Sequence, residues 1–499
     1  MTGREQRREQ LRGNPSKLQQ TGAESPSTIQ KLSNAVRFSP AMLSFLHLAF
    51  HLMTQTVVAE LPSVDLPEFQ KEDLPNGLTL LAARHTEQPV FFFSLLVRVG
   101  ALNEPAEMKG LAGVMTDMMQ EGTENYDSSA LARALDELGG GLGASAGRET
   151  TVLSGQTLSR NADRALELLA EMALRPTFPN SSLRRIKQQN KTMLVASYVD
   201  QDFIGSRHLS ALLYGQSAYG RFPTEETISK IARANVTGFY HGHFQPNGAI
   251  LCTLGDFDPP EMLAKLKEIF GGWEKGETPN ATGLPENFQY PRGRRLAIKR
   301  YKTQATILIG GRGVPANSEL SETFSLANHI LGASGFSSRL MNAVRSEEGK
   351  TYGVHSSNIS SRGAGTFVAQ TFTRNDNVRE TINIMLDVIG DAVKDGLTED
   401  ELAKAKTARI GQFPLRFENP GSWVGGAMND LFFGRPLSYT YETRERIAKV
   451  TLDEVNDALR KTINMEELSI IVVGDPEDLE GQLDDFGEFE VRREKGDWW

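Results

Sequence analysis

Past Leu61 the apolar residues follow two rhythms. Short β-rich runs, Leu78–Ala82, Val90–Val99 and Ala249–Leu254, alternate with stretches at helical spacing, Leu111–Met119, Leu131–Leu138 and Ala162–Ala173. Runs rich in β-branched and aromatic residues predict strands, and apolar positions three and four apart predict helices that bury one face. The chain therefore predicts a fold that mixes helices and sheet throughout.

The same elements occur twice. Ala249-Ile-Leu-Cys-Thr-Leu-Gly255-Asp256 returns as Leu468-Ser-Ile-Ile-Val-Val-Gly474-Asp475, each followed by Pro-Glu. Upstream of each lies a helical pattern with a Val-Thr pair, Ile228–Ala232 with Val236-Thr237 and Arg446–Val450 with Thr451. A third pair joins Leu131–Gly139 to Leu340–Gly349, each predicted as a short helix stopped by glycine before a strand. Three echoes in the same order indicate two homologous halves. The breaker-rich Gly276–Pro285 predicts the linker between them. The boundaries that follow are a leader over 1–60, a first half over 61–280 and a second over 286–499.

A length of 499 residues with 39% hydrophobic and 23% charged residues fits a folded protein of several units, and neither a disordered chain nor a polytopic membrane protein. The formal charge of −9 argues against a grip on the nucleic-acid backbone, so no nucleic-acid partner is expected. A single cysteine, Cys252, excludes an internal disulfide and a cysteine zinc cluster. Residues 1–41 are polar and predict disorder, with seven Lys/Arg against three Glu. The apolar run Ala41–Met53 then leads to small residues and a Val57-x-Ala59 site, the pattern of an export signal too short to span a bilayer. No integral membrane segment is expected. His47 and His51 interrupt the run, and translation from Met42 would shorten its long preamble. A periplasmic or secreted destination is favoured; a mitochondrial one is the alternative, against which Glu5 and Glu9 count.

Chemistry is harder to find. None of the eight histidines belongs to an H-E-x-x-H or H-x-x-E-H set, and no G-x-S-x-G elbow or phosphate loop is present. His241-Gly-His243 is the one close pair, and a packing role suits it better than metal binding. The stretch Gly110-Leu-Ala-Gly113-Val-Met-Thr116-Asp117-Met-Met-Gln-Glu-Gly122-Thr123 resembles the zinc helix of the pitrilysin (insulinase) metallopeptidases, G-x-A-H-F-L-E-H-M closing with G-T. In that frame Gly113 and Asp117 stand where the family has its zinc histidines, and Thr116 where it has the water-activating glutamate. The family's third ligand is a glutamate 75 to 80 residues on, yet no Asp or Glu occurs between Glu171 and Asp200. Asp117 alone, without two imidazoles and a base, does not make a zinc site. The chain is expected to hold no metal.

The second half departs less from the family. Asn328–Val354, with Ser338-Arg339-Leu340, Arg345, Gly349 and Tyr352, resembles its N-x-x-L-G-G-x-x-x-S-R-L and R-x-x-x-G-x-x-Y pattern. Arg345 and Tyr352 match the arginine and tyrosine that the family brings over the zinc of the opposite half to hold the peptide backbone and stabilise the oxyanion. The bland alternative makes Arg345 a surface helix residue and Tyr352 a strand residue packed on the core.

The resemblance covers about residues 70–480 and implies an α+β fold, each half made of two similar units with a mixed sheet backed by helices. It implies a second subunit closing a chamber, and a noncatalytic, substrate-binding role beside a homologous partner that carries H-x-x-E-H and the zinc. An unfolded peptide would be the substrate, bound as an added β-strand. A structural subunit like the core proteins of the respiratory cytochrome bc complex is the other class. The zinc-free subunit of the mitochondrial processing peptidase ranks lower, because its glycine-rich loop is longer than Gly332–Gly335. A peptidase acting alone ranks last.

Overall fold

The computed structural model describes residues 66–276, 284 and 288–493. The leader, its Val57-x-Ala59 site and most of the linker therefore lie outside the described residues.

Two six-stranded mixed sheets carry the fold. The first contains β1 (Gln70–Asp73), β2 (Thr79–Arg84), β3 (Val90–Val97), β4 (Gly141–Ala146), β5 (Thr151–Leu158) and β6 (Ile250–Gly255) in the order β1-β2-β6-β3-β5-β4. The second contains β7 (Arg295–Lys299), β8 (Gln304–Arg312), β9 (Val354–Ser360), β10 (Gly365–Arg374), β11 (Ser469–Gly474) and β12 (Glu490–Arg493) in the order β12-β7-β11-β8-β10-β9. Five strands correspond one to one: β2 pairs parallel with β6 as β7 does with β11, and the remaining shared pairings are antiparallel in both. The edges differ, since β1 runs antiparallel to β2 whereas β12 runs parallel to β7. The doubling is thus between the halves. Each half builds one sheet, not the pair of units expected within it, because all of its strands pair into a single ladder.

The helices of the first half are α1 (Leu111–Met119), α2 (Ser128–Glu137), α3 (Ala162–Leu174), α4 (Asn180–Ser197), α5 (Gln201–Tyr214), α6 (Glu225–Lys230), α7 (Arg233–His243) and α8 (Pro259–Phe270). Those of the second are α9 (Ser321–Asn328), α10 (Val378–Asp395), α11 (Glu399–Gly411), α12 (Gly421–Phe432), α13 (Thr443–Lys449) and α14 (Leu452–Thr462). One face of each sheet packs on the helices of its own half, as in the core joining Phe91, Phe93 and Leu95 to Met115, Met118 and Leu169. The other face is covered by the opposite half: α5 lies on β8 and β11, and α12 on β6 and β3. Burial of Ile204, Leu212 and Tyr214 with Leu308, Val368 and Ile471 makes the halves one packed body. Tyr214 adds a polar clasp, its hydroxyl 2.6 Å from Thr366 Oγ1 and donating to Gly365 O at 3.0 Å.

The third sequence echo differs from its expected form. Leu131 lies in the regular helix α2, but its counterpart winds as a short α-turn, Arg339–Met341, and then a π-turn, Asn342–Glu347. Gly349, in the left-handed region at φ 62°, ends it by donating to Arg345 O at 3.0 Å.

Candidate functional site

Helix α1 begins without a side-chain cap of its own. Gly110 precedes it at φ 101°, a conformation glycine adopts without strain, and no side chain at 110 could cap the helix. The capping acceptor comes from Glu104, whose carboxylate takes the N–H of Gly110 at 3.0 Å and that of Ala112 at 2.7 Å. Lys109 Nζ lies 3.8 Å from that carboxylate and donates to Ala101 O at 2.7 Å. Both side chains are almost wholly buried, so burial pushes the Glu104 pKa up and the Lys109 pKa down, each opposed by the other's charge.

Along α1 the apolar residues Leu111, Val114, Met115, Met118 and Met119 are buried. That leaves Gly113 and Asp117, four apart, on the one partly exposed stripe. A Cβ on Gly113 would meet nothing within 4 Å, so the place of the first histidine is open space. Thr116 is buried, and its hydroxyl donates to Gly113 O at 2.9 Å, leaving no base aimed at solvent. Asp117 accepts from Asn190 Nδ2 at 2.6 Å. Asn190 lies on α4, 73 residues beyond Asp117, close to the interval where the family resemblance puts the third ligand. The amide and the carboxylate satisfy each other there. Burial raises the Asp117 pKa, against the Asn190 bond and helped by the nearby Glu121 charge. Glu121 pairs with Arg185 of α4, and although burial opposes ionisation, hydrogen bonds from Arg185, Ser182 and Ser128 hold its pKa down.

Between α1 and α4 lies a groove of about 970 Å³, lined by Asp117, Gln120, Arg184, Gln188 and Asn190 among others. These donors do not fit zinc. One ligand position has no side chain, one is an amide and one is a carboxylate already hydrogen-bonded, and the described residues contain no group of three His, Cys, Asp or Glu able to hold a metal ion. His241 and His243 sit on α7 against aromatic rings, His243 at 4.9 Å from Phe239 and His241 at 5.2 Å from Tyr240. Burial lowers the His243 pKa.

In the second half Arg345 and Tyr352 come together. The Arg345 guanidinium lies 5.0 Å from the Tyr352 ring and 4.7 Å from that of Phe336, within cation–π range of both. Tyr352 is 78% exposed and Phe336 72% exposed, so Tyr352 is not packed on the core. The corner that presents it is pinned by Thr351, whose hydroxyl donates to Phe372 O at 2.6 Å and accepts from the Gly353 N–H at 3.1 Å. The neighbouring Arg339 is, by contrast, fully engaged: it forks onto Glu401 at 2.6 and 2.7 Å and holds that carboxyl at about 2. No hydrogen bond, ion pair or ring contact among the described residues joins Arg345 or Tyr352 to Asp117 or Asn190. Sequence reasoning missed Asn190 and Phe336. The only signals were a polar residue at about the right interval and an aromatic residue in a glycine-serine turn.

A two-half fold that keeps the frame of an inverted zinc motif and lacks every ligand defines a zinc-free relative of a metallopeptidase. Residues 80–219 match the profile described as insulinase, peptidase family M16, and residues 230–409 match that of the peptidase M16 inactive domain. The chain belongs to this peptidase family. It is similar to the solved peptidase M16 inactive domain from Pseudomonas fluorescens, at 26% identity and a TM-score of 0.75 over 82% of this chain and 98% of that one. A Helicobacter pylori protease structure shares the fold, with 16% identity and a TM-score of 0.71 over 82% of this chain and 100% of that one. Among sequences, an uncharacterized zinc protease, YmxG, of Bacillus subtilis is 24% identical over 77% of this chain and 93% of its own length. A Helicobacter pylori protein called non-peptidase homolog YmxG is 23% identical over 77% of this chain and 89% of its own length.

Proposed function

We propose that the chain is the noncatalytic, peptide-binding subunit of a two-chain zinc peptidase. A homologous partner carries the intact H-x-x-E-H helix and the zinc, and this chain offers Arg345 and Tyr352 to the peptide backbone and the developing oxyanion. The observation that carries the proposal is a contrast in commitment. Asp117 is tied up by Asn190 while Gly113 and Thr116 offer no chemistry, whereas Tyr352 is exposed and the Arg345 side chain, half-buried against the Tyr352 and Phe336 rings, makes no hydrogen bond or ion pair among the described residues. A guanidinium held between aromatic faces keeps its in-plane N–H donors for carbonyl or carboxylate oxygen. Strand β4 supports the substrate class, because it is an edge of its sheet and can take an unfolded peptide by main-chain pairing. No helix among the described residues is long and apolar enough to cross a membrane. We place the protein in the periplasm or outside the cell on the Val57-x-Ala59 pattern, and a mature N-terminus at Glu60 is the corresponding check.

The test is affinity purification of the chain from its native host, followed by assay of the recovered complex. An equimolar companion bearing H-x-x-E-H is expected, and Arg345→Ala should leave assembly intact while turnover falls at least about tenfold. Recovery of the chain alone or with respiratory-complex subunits, or unchanged turnover in the variant, would point to a scaffold without a part in proteolysis.

A further inference from the structure

The two helices exchanged between the halves cover their sheets unequally, and the inequality traces to two positions. They begin alike, Gln201-Asp-Phe-Ile-Gly205 in α5 and Gly421-Ser-Trp-Val-Gly425 in α12, with glycine as the fifth residue of each. The strands beneath also correspond: Leu308 of β8 stands opposite Ile471, and Ser94 of β3 opposite Cys252, at matching places in the paired strands β11 and β6. On the second sheet a Cβ at Gly205 would lie 2.3 Å from a Leu308 methyl, so close packing demands glycine. On the first sheet a Cβ at Gly425 would meet nothing within 4 Å. Packing does not explain that glycine, and in a helix interior it costs stability relative to alanine.

A cleft of about 650 Å³ lies between α12 and strands β3, β5 and β4, with Ser94 where the other sheet has leucine. Two cross-strand rows make its floor, Phe92–Gln156–Gly141 and Ser94–Ser154–Gly143, and Val424 forms part of its wall. The β4 positions in those rows are glycines, so no side chain stands between the cleft and the free edge of the sheet.

We propose that this cleft is a specificity site for the extended peptide. The proposal rests on the chain being a peptide binder and names what it selects: a strand added along β4 turns alternate side chains to each face, and those on the α12 face lean across Gly141 and Gly143 into the cleft. Bulky apolar side chains, packed on Phe92 and Val424, are the class that fits.

The experiment measures fluorescence anisotropy of two dye-labelled unfolded peptides on the full chain, one alternating Phe with Ser and the other Ala with Ser. Wild type should bind the Phe peptide about tenfold more tightly. Gly425→Leu, whose Cβ meets nothing within 4 Å, should fill the cleft and abolish that preference while leaving Ala-peptide affinity unchanged and the thermal midpoint no lower; Ser94→Leu should remove the preference from the floor. A Phe preference retained by both variants overturns the cleft proposal. Equal binding of both peptides by wild type, weakened by Arg345→Ala, also overturns it but leaves the peptide-binding function standing. Binding of neither peptide removes both.

Discussion

Replacing Glu104 by alanine strikes the anchor of α1, the helix that keeps its frame without its chemistry. Two backbone N–H groups, at 3.0 and 2.7 Å, lose a charged acceptor, each bond of that kind contributing about 1.5–3 kcal/mol. Lys109, 2% exposed at its side chain, keeps only the carbonyls of Ala101 and residue 104 as partners. Removing one member of a buried pair costs about 3–5 kcal/mol. The two losses overlap, so the expected destabilisation is about 4 kcal/mol. Because the two halves form one packed body, the conversion is about 1 °C per kcal/mol, and the Tm should fall by about 4 °C. Glu104→Gln, which keeps the shape and one acceptor oxygen, should lose about half as much. Calorimetry on the full chain measures both, and the double variant with Lys109→Met should fall short of the summed singles by more than about 1 kcal/mol. A drop below about 1 °C for Glu104→Ala would show that α1 is held by apolar packing alone, and would refute the role given to the buried pair.

The other predictions concern the lost zinc site and one ion pair. Burial raises the Asp117 pKa, so ionisation there weakens the fold as pH rises through and above the ordinary carboxylate range; Asp117→Asn should be neutral or stabilising by up to about 1 kcal/mol at pH 7, and a comparable loss would contradict this. Open space at Gly113 and the contact of Asn190 with Asp117 predict that Gly113→His with Asp117→His and Asn190→Glu yields a chain retaining stoichiometric zinc after dialysis, read by elemental analysis. Wild type should retain none. Arg339 holds Glu401 at about 2 against an ordinary 4.5. A depressed carboxyl contributes stability above its unfolded pKa and loses it as pH falls towards the folded one, so the contribution should vanish between about pH 4.5 and 2. Arg339→Ala should then lose about 1–2 kcal/mol at neutral pH, allowing for solvent screening, and much less near pH 2 in acid titration.

The two halves were legible in the sequence, and so were the departures at Gly113, Thr116 and Asp117 from the family's zinc-helix pattern and the spacing of Arg345 and Tyr352. Each is a local pattern: hydrophobic period, glycine stops and helical intervals lie within a few residues of one another, and repetition exposes the doubling without knowledge of contacts. The number of sheets per half was not legible, because strand pairing between β2 and β6 joins residues far apart, such as Leu81 and Cys252. Nor was Asn190, whose meaning comes from α4 crossing α1 to bring it to 2.6 Å from Asp117. Phe336 gains significance only when two turns bring its ring 4.7 Å from Arg345. The cleft beside β4 depends on which helix covers which sheet, an exchange between halves that turns one glycine, Gly205, into a packing requirement and its counterpart, Gly425, into open space. Local pattern encodes what each segment can form. Close packing between distant segments decides which side chains are used up in holding the fold and which remain free for a ligand.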